Sequence, residues 1–139
     1  MQKPFFNAEG YPDPTAYQAM NDTGQFSFRP VVYICSRYSD DLAHNTTLAR
    51  NYCRRAVDLG YLPIAPHLYL PQFLSEDDER ELALFMDYIL MTKCVEFWVC
   101  GTESRDDWSD GMRLEVRRAK KRRMRIRYFD AEMQEIASY

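Results

Sequence analysis

From Pro30 onward the chain alternates short β-branched or aromatic runs with segments of helical period, and this alternation constrains the fold more than any other feature. "VVYICS" (31–36) is a short apolar run, the pattern of a buried strand. Over 40–60, Leu42, Ala49, Tyr52, Cys53 and Ala56 fall on one helical face, and Gly60 suits a helix C-cap. "YLPIAPH" (61–67) predicts a second strand that ends at a proline, with "LYLPQFL" as a loop. A helix is expected over 75–94: its acidic opening complements the positive N-terminal end of the helix dipole, and Leu82, Phe85, Met86 and Ile89 share an apolar face. "VEFWVCG" (95–101) predicts a third strand, "TESRDDW" a polar loop, and residues 110 to 122 a helix. "MRIRYF" (124–129) predicts a fourth strand and "DAEMQEIAS" a short last helix. Strands alternating with helices of this length imply βαβ units, hence an α/β domain around a parallel sheet of about four to five strands.

The length of 139 residues favours one domain with one core. Residues 1–29 differ from the rest, with Pro4, Gly10, Pro12, Pro14 and Gly24 among aromatics of no clear period. They predict an irregular arm with one short helix around "PTAYQAM", whose Phe5, Phe6, Phe26 and Phe28 would pack on the domain or on a partner subunit. Hydrophobic residues make up 46% and aromatic residues 14%, enough to fill a core. Net charge is −3, so the basic stretch "SDGMRLEVRRAKKRR" (109–123) is local and is offset by "SEDDERE" (75–81). A nucleic-acid-binding protein is more often basic overall, which argues against that class of partner. No apolar segment approaches the roughly 20 residues of a membrane helix, and "MQKPFFNAEG" lacks the apolar run of a signal peptide. Cys35, Cys53, Cys94 and Cys100 form no CxxC pair and lie in or beside apolar segments, so reduced thiols in a cytoplasmic protein are expected. The two histidines lie far from any cysteine pair, so no zinc site is expected, nor any other metal or cofactor.

The basic stretch separates into two surfaces when wound at about 100° per residue. Gly111, Met112, Glu115, Val116 and Ala119 fall on one face, and Arg113, Arg117, Lys120 and Lys121 on the opposite one. The apolar stripe is expected to face the sheet and the basic side to face water. Glu115 then sits at the edge of the buried stripe. A carboxylate there costs free energy unless it is hydrogen-bonded, paired or exposed in a cavity. It is either a rim residue salt-bridged to an arginine or a carboxylate aimed into a pocket. Asp87, alone among charges between Ala83 and Thr92, poses the same choice between an exposed position and a second carboxylate in that pocket.

Ligands of open α/β sheets bind outside the carboxyl ends of the strands. That rule selects the loops Ser36–Asp41, Pro66–Phe73 and Gly101–Asp110, together with the exit of the last strand. Ser36 and Arg37 follow the first strand, and Ser109, Asp110 and Gly111 open a helix whose free N–H groups favour an anion such as phosphate. Two carboxylates in one pocket can divide the roles of nucleophile and proton donor. Neither GxGxxG nor GxxxxGK[ST] is present.

Tyr33 in "VVYICS", Asp87 in "MDYILMTKC", and Ser109, Gly111 and Glu115 in "SDGMRLE" together resemble the nucleoside 2-deoxyribosyltransferase-like superfamily over roughly Pro30 to Phe129. Within it, "IAPHLYLPQFL…ER…CVEFWVCG…SDGMRLE" looks most like an uncharacterised bacterial and phage family. The resemblance implies a single-domain Rossmann/flavodoxin-like three-layer sandwich over 30–139. It implies Glu115 as nucleophile at the anomeric carbon, Asp87 as aid to proton transfer and orientation, and Tyr33 as positioner. Ser109 stands where the transferase branch has an aspartate and the nucleoside 5′-monophosphate glycosidase branch a phosphate-holding serine. "SRYSDD" departs from the glycosidase branch's Gly-rich loop, and Val95 replaces the usual aspartate opening the third strand. The "APHLYLPQF" loop, with His67, Tyr69 and Gln72, is expected on the base side, where His67 is either a base contact or a structural loop histidine. Relatives form dimers or larger assemblies, so a homo-oligomer is the implied state.

The leading expectation is an N-glycosidase or deoxyribosyltransferase acting on a small-molecule nucleotide or nucleoside. The second is a non-catalytic binder of nucleotide-like signals, and the third a nucleic-acid module using the basic helix face.

Overall fold

The computed structural model describes residues 5–6, 12–13 and 26–137. Most of the predicted arm, with the helix around "PTAYQAM", lies outside the described residues. Within it, β1 (Phe5–Phe6) pairs antiparallel with β2 (Pro12–Asp13). Phe26 and Phe28 are 57% and 87% exposed, so neither is buried on the domain.

The α/β unit runs β3 (Val31–Cys35), α1 (Leu42–Asp58), β4 (Leu62–Ile64), α2 (Arg80–Met91), β5 (Glu96–Cys100), α3 (Asp110–Lys121), β6 (Arg125–Phe129) and β7 (Glu135–Ile136). The sheet order is β4-β3-β5-β6-β7. Four strands are parallel, with Tyr33 opposite Ile64 on one side and Phe97 on the other, and β7 closes the β6 edge antiparallel. The sheet is therefore mixed rather than wholly parallel.

Side chains alternate across the strands and build two cores. Val32, Ile34, Trp98, Cys100 and Phe129 pack against Tyr52 and Ala56 of α1. Tyr33, Cys35, Phe97 and Val99 pack against Met91 of α2 and Met112, Val116 and Ala119 of α3. The helices thus cover both faces, an arrangement compatible with a three-layer α/β sandwich. No helix among the described residues is long and apolar enough to cross a membrane. All four cysteines are free, with Cys35 and Cys100 buried.

Three expectations need correction. The tail is not a helix. Asp130 Oδ1 accepts from the N–H groups of Glu132 and Gln134, and Met133 takes a left-handed φ of 60°, so the chain reverses into β7. The Arg127 fork on Glu135, at 2.9 and 2.8 Å, then holds the hairpin. The acidic segment before α2 is a turn: the Ser75 N–H donates to Glu79 Oε1 at 2.9 Å, and the helix starts at Arg80. The face that α2 buries is also not the expected one. Leu82, Phe85 and Ile89 are exposed, whereas Met91 is fully buried and Ala83, Leu84 and Asp87 turn toward a cavity. Nearly every position of "LALFMDYILM" is apolar, so period alone cannot choose the inward side. The segment after β4 forms two 3-10 turns, Pro66–Leu68, which overlaps the end of the expected second strand, and Leu70–Gln72 within "LYLPQFL".

Candidate active site

The chain leaves β3 for β4 on one side and returns to β5 on the other, which opens a crevice beyond the carboxyl ends of β3 and β5. A cavity of about 370 Å³ occupies it. Ser36 and Tyr38 line it from the loop after β3, and His67, Leu70 and Pro71 from the turns after β4. Glu76, Arg80 and Asp87 come from α2 and its approach, and Ser109, Asp110, Gly111 and Glu115 from the start of α3.

Glu115 is placed by the buried stripe of its own helix. Met112, Val116 and Ala119 pin α3 to the sheet, which leaves Glu115 one turn in from the N-terminus and facing the cavity. The Tyr33 hydroxyl is its hydrogen-bond partner. The Tyr33 ring lies stacked on Phe97, with centroids 5.4 Å apart and planes within 6°, so that hydroxyl is rigidly aimed. Burial is the main cause that pushes the Glu115 carboxyl from 4.5 up to about 8. The Tyr33 hydrogen bond opposes this, the negative charge of Asp87 adds to it, and Arg118 opposes it again. Asp87 rises from 3.8 to about 6, first by burial, with Arg118 pulling down. Burial first, and then the charges of Glu115 and Asp87, raise the cost of ionising Tyr33, which stays a phenol. The two carboxyls therefore titrate as a pair that holds one proton between about pH 6 and pH 8.

Arg118 braces the helices that carry this pair. Its Nη1 donates to the Leu84 carbonyl at 2.9 Å, and its guanidinium lies 5.1 Å from the Tyr88 ring centre.

His67 is pushed down to about 4 by burial, so its imidazole is neutral at pH 7. Its Nε2 lies 3.4 Å from Ser36 Oγ, and its ring tilts against Tyr38 with centroids 5.2 Å apart. Ser109 caps α3, its Oγ accepting from the Met112 N–H at 3.2 Å. A Cβ on Gly111 would meet only Ser109 Oγ, at 3.9 Å. The fold itself leaves room for a side chain there, so packing does not require the glycine, which leaves the helix N-terminus uncovered on the cavity side.

The structure thus brings Tyr33, Ser36, His67, Asp87, Ser109, Asp110, Gly111 and Glu115 to one cavity. Arg37 is not among them. Its Nε and Nη2 donate to Asp40 Oδ2 at 3.1 and 2.8 Å, its Nη1 to the Asp107 carbonyl, and it borders a separate small recess with Asn45 and Tyr52. Tyr69 and Gln72 also lie outside the lining; the Gln72 amide donates to the Leu68 carbonyl at 2.9 Å, and Leu70 and Pro71 take the wall instead. The sequence reasoning missed Tyr38, Glu76 and Arg80. Tyr38 had a signal, its place two residues past a strand end. Glu76 and Arg80 were hidden inside a run of exposed charge.

The model of a protein family described as "Domain of unknown function (DUF7768)" matches residues 30–129. No curated protein and no solved structure matches.

Proposed function

The chain belongs to the DUF7768 family, and from that premise we propose that it is a glycosidase or glycosyltransferase that cleaves the N-glycosidic bond of a nucleoside or 5′-nucleotide through Glu115. In this reading the α/β unit is a Rossmann/flavodoxin-like branch of the nucleoside 2-deoxyribosyltransferase-like superfamily. The strand order supports it, since β4-β3-β5-β6 is the 2-1-3-4 order of a doubly wound sheet. The observation that carries the proposal is the convergence of Tyr33, Asp87 and Glu115 in one cavity at the switch point of the sheet.

The chemistry follows from the single proton of the pair. Burial favours it on Glu115, the more strongly raised group. The reactive arrangement has it on Asp87, with Glu115 ionised and steadied by the Tyr33 hydroxyl. A Glu115 oxygen bonds to the anomeric carbon while the bond to the base nitrogen breaks. The bonding pair leaves with the base, which takes the proton from Asp87. The product is a glycosyl ester on Glu115, an Asp87 carboxylate and a neutral base. Water or a second base then attacks the same carbon, Asp87 takes the incoming proton, and Glu115 departs as a carboxylate, so the one-proton pair is restored.

The neutral His67 and Ser36 offer hydrogen bonds without charge, as recognition of a base edge requires. Ser109, Asp110 and the open N-terminus at Gly111 face the sugar's 5′ end in this reading.

The test is incubation of the purified chain with the deoxynucleosides and their 5′-monophosphates, with free base followed by chromatography. Base release lost in Glu115→Gln, with the fold retained, supports the proposal. An intact ligand held tightly without release assigns binding alone.

A further inference from the structure

The end of the molecule opposite the cavity carries a charge pattern that the net charge of −3 conceals. Each helix runs from the carboxyl ends of the strands back to their amino ends, so α1, α2 and α3 all finish at the amino-terminal edge of the sheet. Lys93 follows α2, and Lys120, Lys121, Arg122 and Arg123 close α3; all are exposed. None of them forms an ion pair among the described residues. Asp58 and Glu96 also lie at this end, but each is taken: Asp58 by Arg54 at 2.9 Å, and Glu96 by Arg125 and Arg127 at 3.5 and 3.3 Å. A helix C-terminus carries only about half a negative charge, so these cations exceed what the ends of α2 and α3 can use. Acidic residues gather at the cavity end instead, with Glu76, Asp77 and Asp78 before α2 and Asp106, Asp107 and Asp110 around the start of α3.

Exposed apolar side chains share this edge with the cations. Leu62 stands opposite Val31 in the strand register, and the Val95 N–H donates to the Val31 carbonyl at 2.8 Å, so Leu62 and Val95 lie at one level on either side of β3. They are 48% and 59% exposed. Leu59, at the end of α1, is 42% exposed, and Phe28 is 87% exposed. Phe28 is next to Arg29, whose Nη1 is drawn over the end of α1 by the Val57 and Tyr61 carbonyls at 2.8 and 3.1 Å. Exposed apolar groups rimmed by charge mark contact surfaces.

The combination selects the partner. Cations alone would suit any polyanion, but leucine and valine gain nothing against a phosphate backbone. They gain from acyl chains that lie just beneath a layer of anionic headgroups. Strand ends at one level also make a broad face, which suits a planar surface. We propose that the amino-terminal edge of the sheet docks on an anionic membrane surface, with Lys93 and the cations that close α3 among the headgroups and Phe28, Leu62 and Val95 at the acyl boundary. The acidic end is then repelled from the bilayer, and the cavity opens toward water. The argument is independent of the glycosidase reading, because it uses no residue of the cavity wall.

The experiment is co-sedimentation of the full chain with vesicles of equal parts phosphatidylglycerol and phosphatidylcholine, beside vesicles of phosphatidylcholine alone. The chain pellets with the anionic vesicles only, and added salt releases it. Lys93→Ala with Lys121→Ala, circular dichroism unchanged, lowers the partition coefficient about thirtyfold. Leu62→Ser with Val95→Ser lowers it about tenfold, which a purely ionic attraction would not produce. Should that pair misfold, Phe28→Ser, outside every strand and helix, reads the same contribution. A chain that stays in solution with the anionic vesicles overturns the proposal, and its retention on a single-stranded DNA resin would assign the cations to a polynucleotide instead. Equal partition onto both kinds of vesicle overturns it as well, as does partition untouched by the lysine pair or by every apolar substitution.

Discussion

The hydroxyl of Tyr33, fixed at the centre of the sheet, meets the carboxyl of Glu115, one turn into α3. This one contact sets how hard it is to ionise Glu115 at the bottom of the cavity, because it is the largest effect that opposes burial.

A pH profile reads that contact. Below about 6 both carboxyls of the pair are protonated, and above about 8 both are ionised; the proposed reaction would then lack its nucleophile at the first extreme and its proton donor at the second. Base release, measured as kcat/KM against pH, is expected to follow a bell with limbs near those values. Tyr33→Phe removes the hydrogen bond that favours the ionised form of Glu115. The upper limb should move to higher pH, and kcat should fall by about a hundredfold. An unmoved limb would separate Tyr33 from the ionisation of Glu115.

Glu115 should also cost the protein stability. Below about 4.5 the carboxyl is protonated in both folded and unfolded chains and has no effect. As pH rises, the unfolded chain releases the proton and the folded chain keeps it. Stability then falls by roughly 1.4 kcal/mol for each pH unit up to the folded value, which is about 8. Glu115→Gln removes that loss. Urea unfolding of the two proteins is expected to coincide near pH 4.5 and to favour the variant increasingly toward pH 8. Equal stability at both ends would contradict a carboxyl that keeps its proton in the folded chain.

On the other face of the sheet, Arg127 joins three elements. It forks onto Glu135, donates to the Tyr61 hydroxyl at 3.0 Å and reaches Glu96 Oε1 at 3.3 Å. Glu96 is buried, and its remaining partners are the Trp98 indole N–H and the exposed Arg125. Arg127→Ala leaves that carboxylate underpaired and should destabilise the fold by about 3 kcal/mol, read as a lower urea midpoint. Arg127 holds Glu135 below its usual carboxylate range. That share is present above the unfolded carboxylate pKa and is lost as pH falls through the folded value. The gap between variant and wild type should therefore shrink in acid.

Much of this architecture was legible in the residues, and the exceptions have physical causes. "VVYICS", "VEFWVCG" and "MRIRYF" read as strands because β-branched and aromatic runs of that length have few other uses. The face of α3 was legible because Met112, Val116 and Ala119 recur at helical spacing among charges, which fixes where Glu115 points. The face of α2 was not, because apolar residues surround that helix. The tail misread as a helix turns on one side chain, Asp130, whose carboxylate competes with helical hydrogen bonds. Arg37 followed a strand end as a ligand-binding cation would. Its partners, Asp40 and the Asp107 carbonyl, come together only in the folded chain. Arg80 and Glu76 were masked by the like residues around them.

In the proposed mechanism Glu115 bonds covalently to the sugar. The most direct measurement is mass spectrometry of the chain after incubation with a slow nucleoside or nucleotide substrate, followed by rapid acid quench and proteolysis. A glycosyl residue is expected on the peptide that contains Glu115, absent in Glu115→Gln and depleted when water or a second base is given time to act. Base release that continues in Glu115→Gln, with no adduct on that peptide at any time, would contradict it.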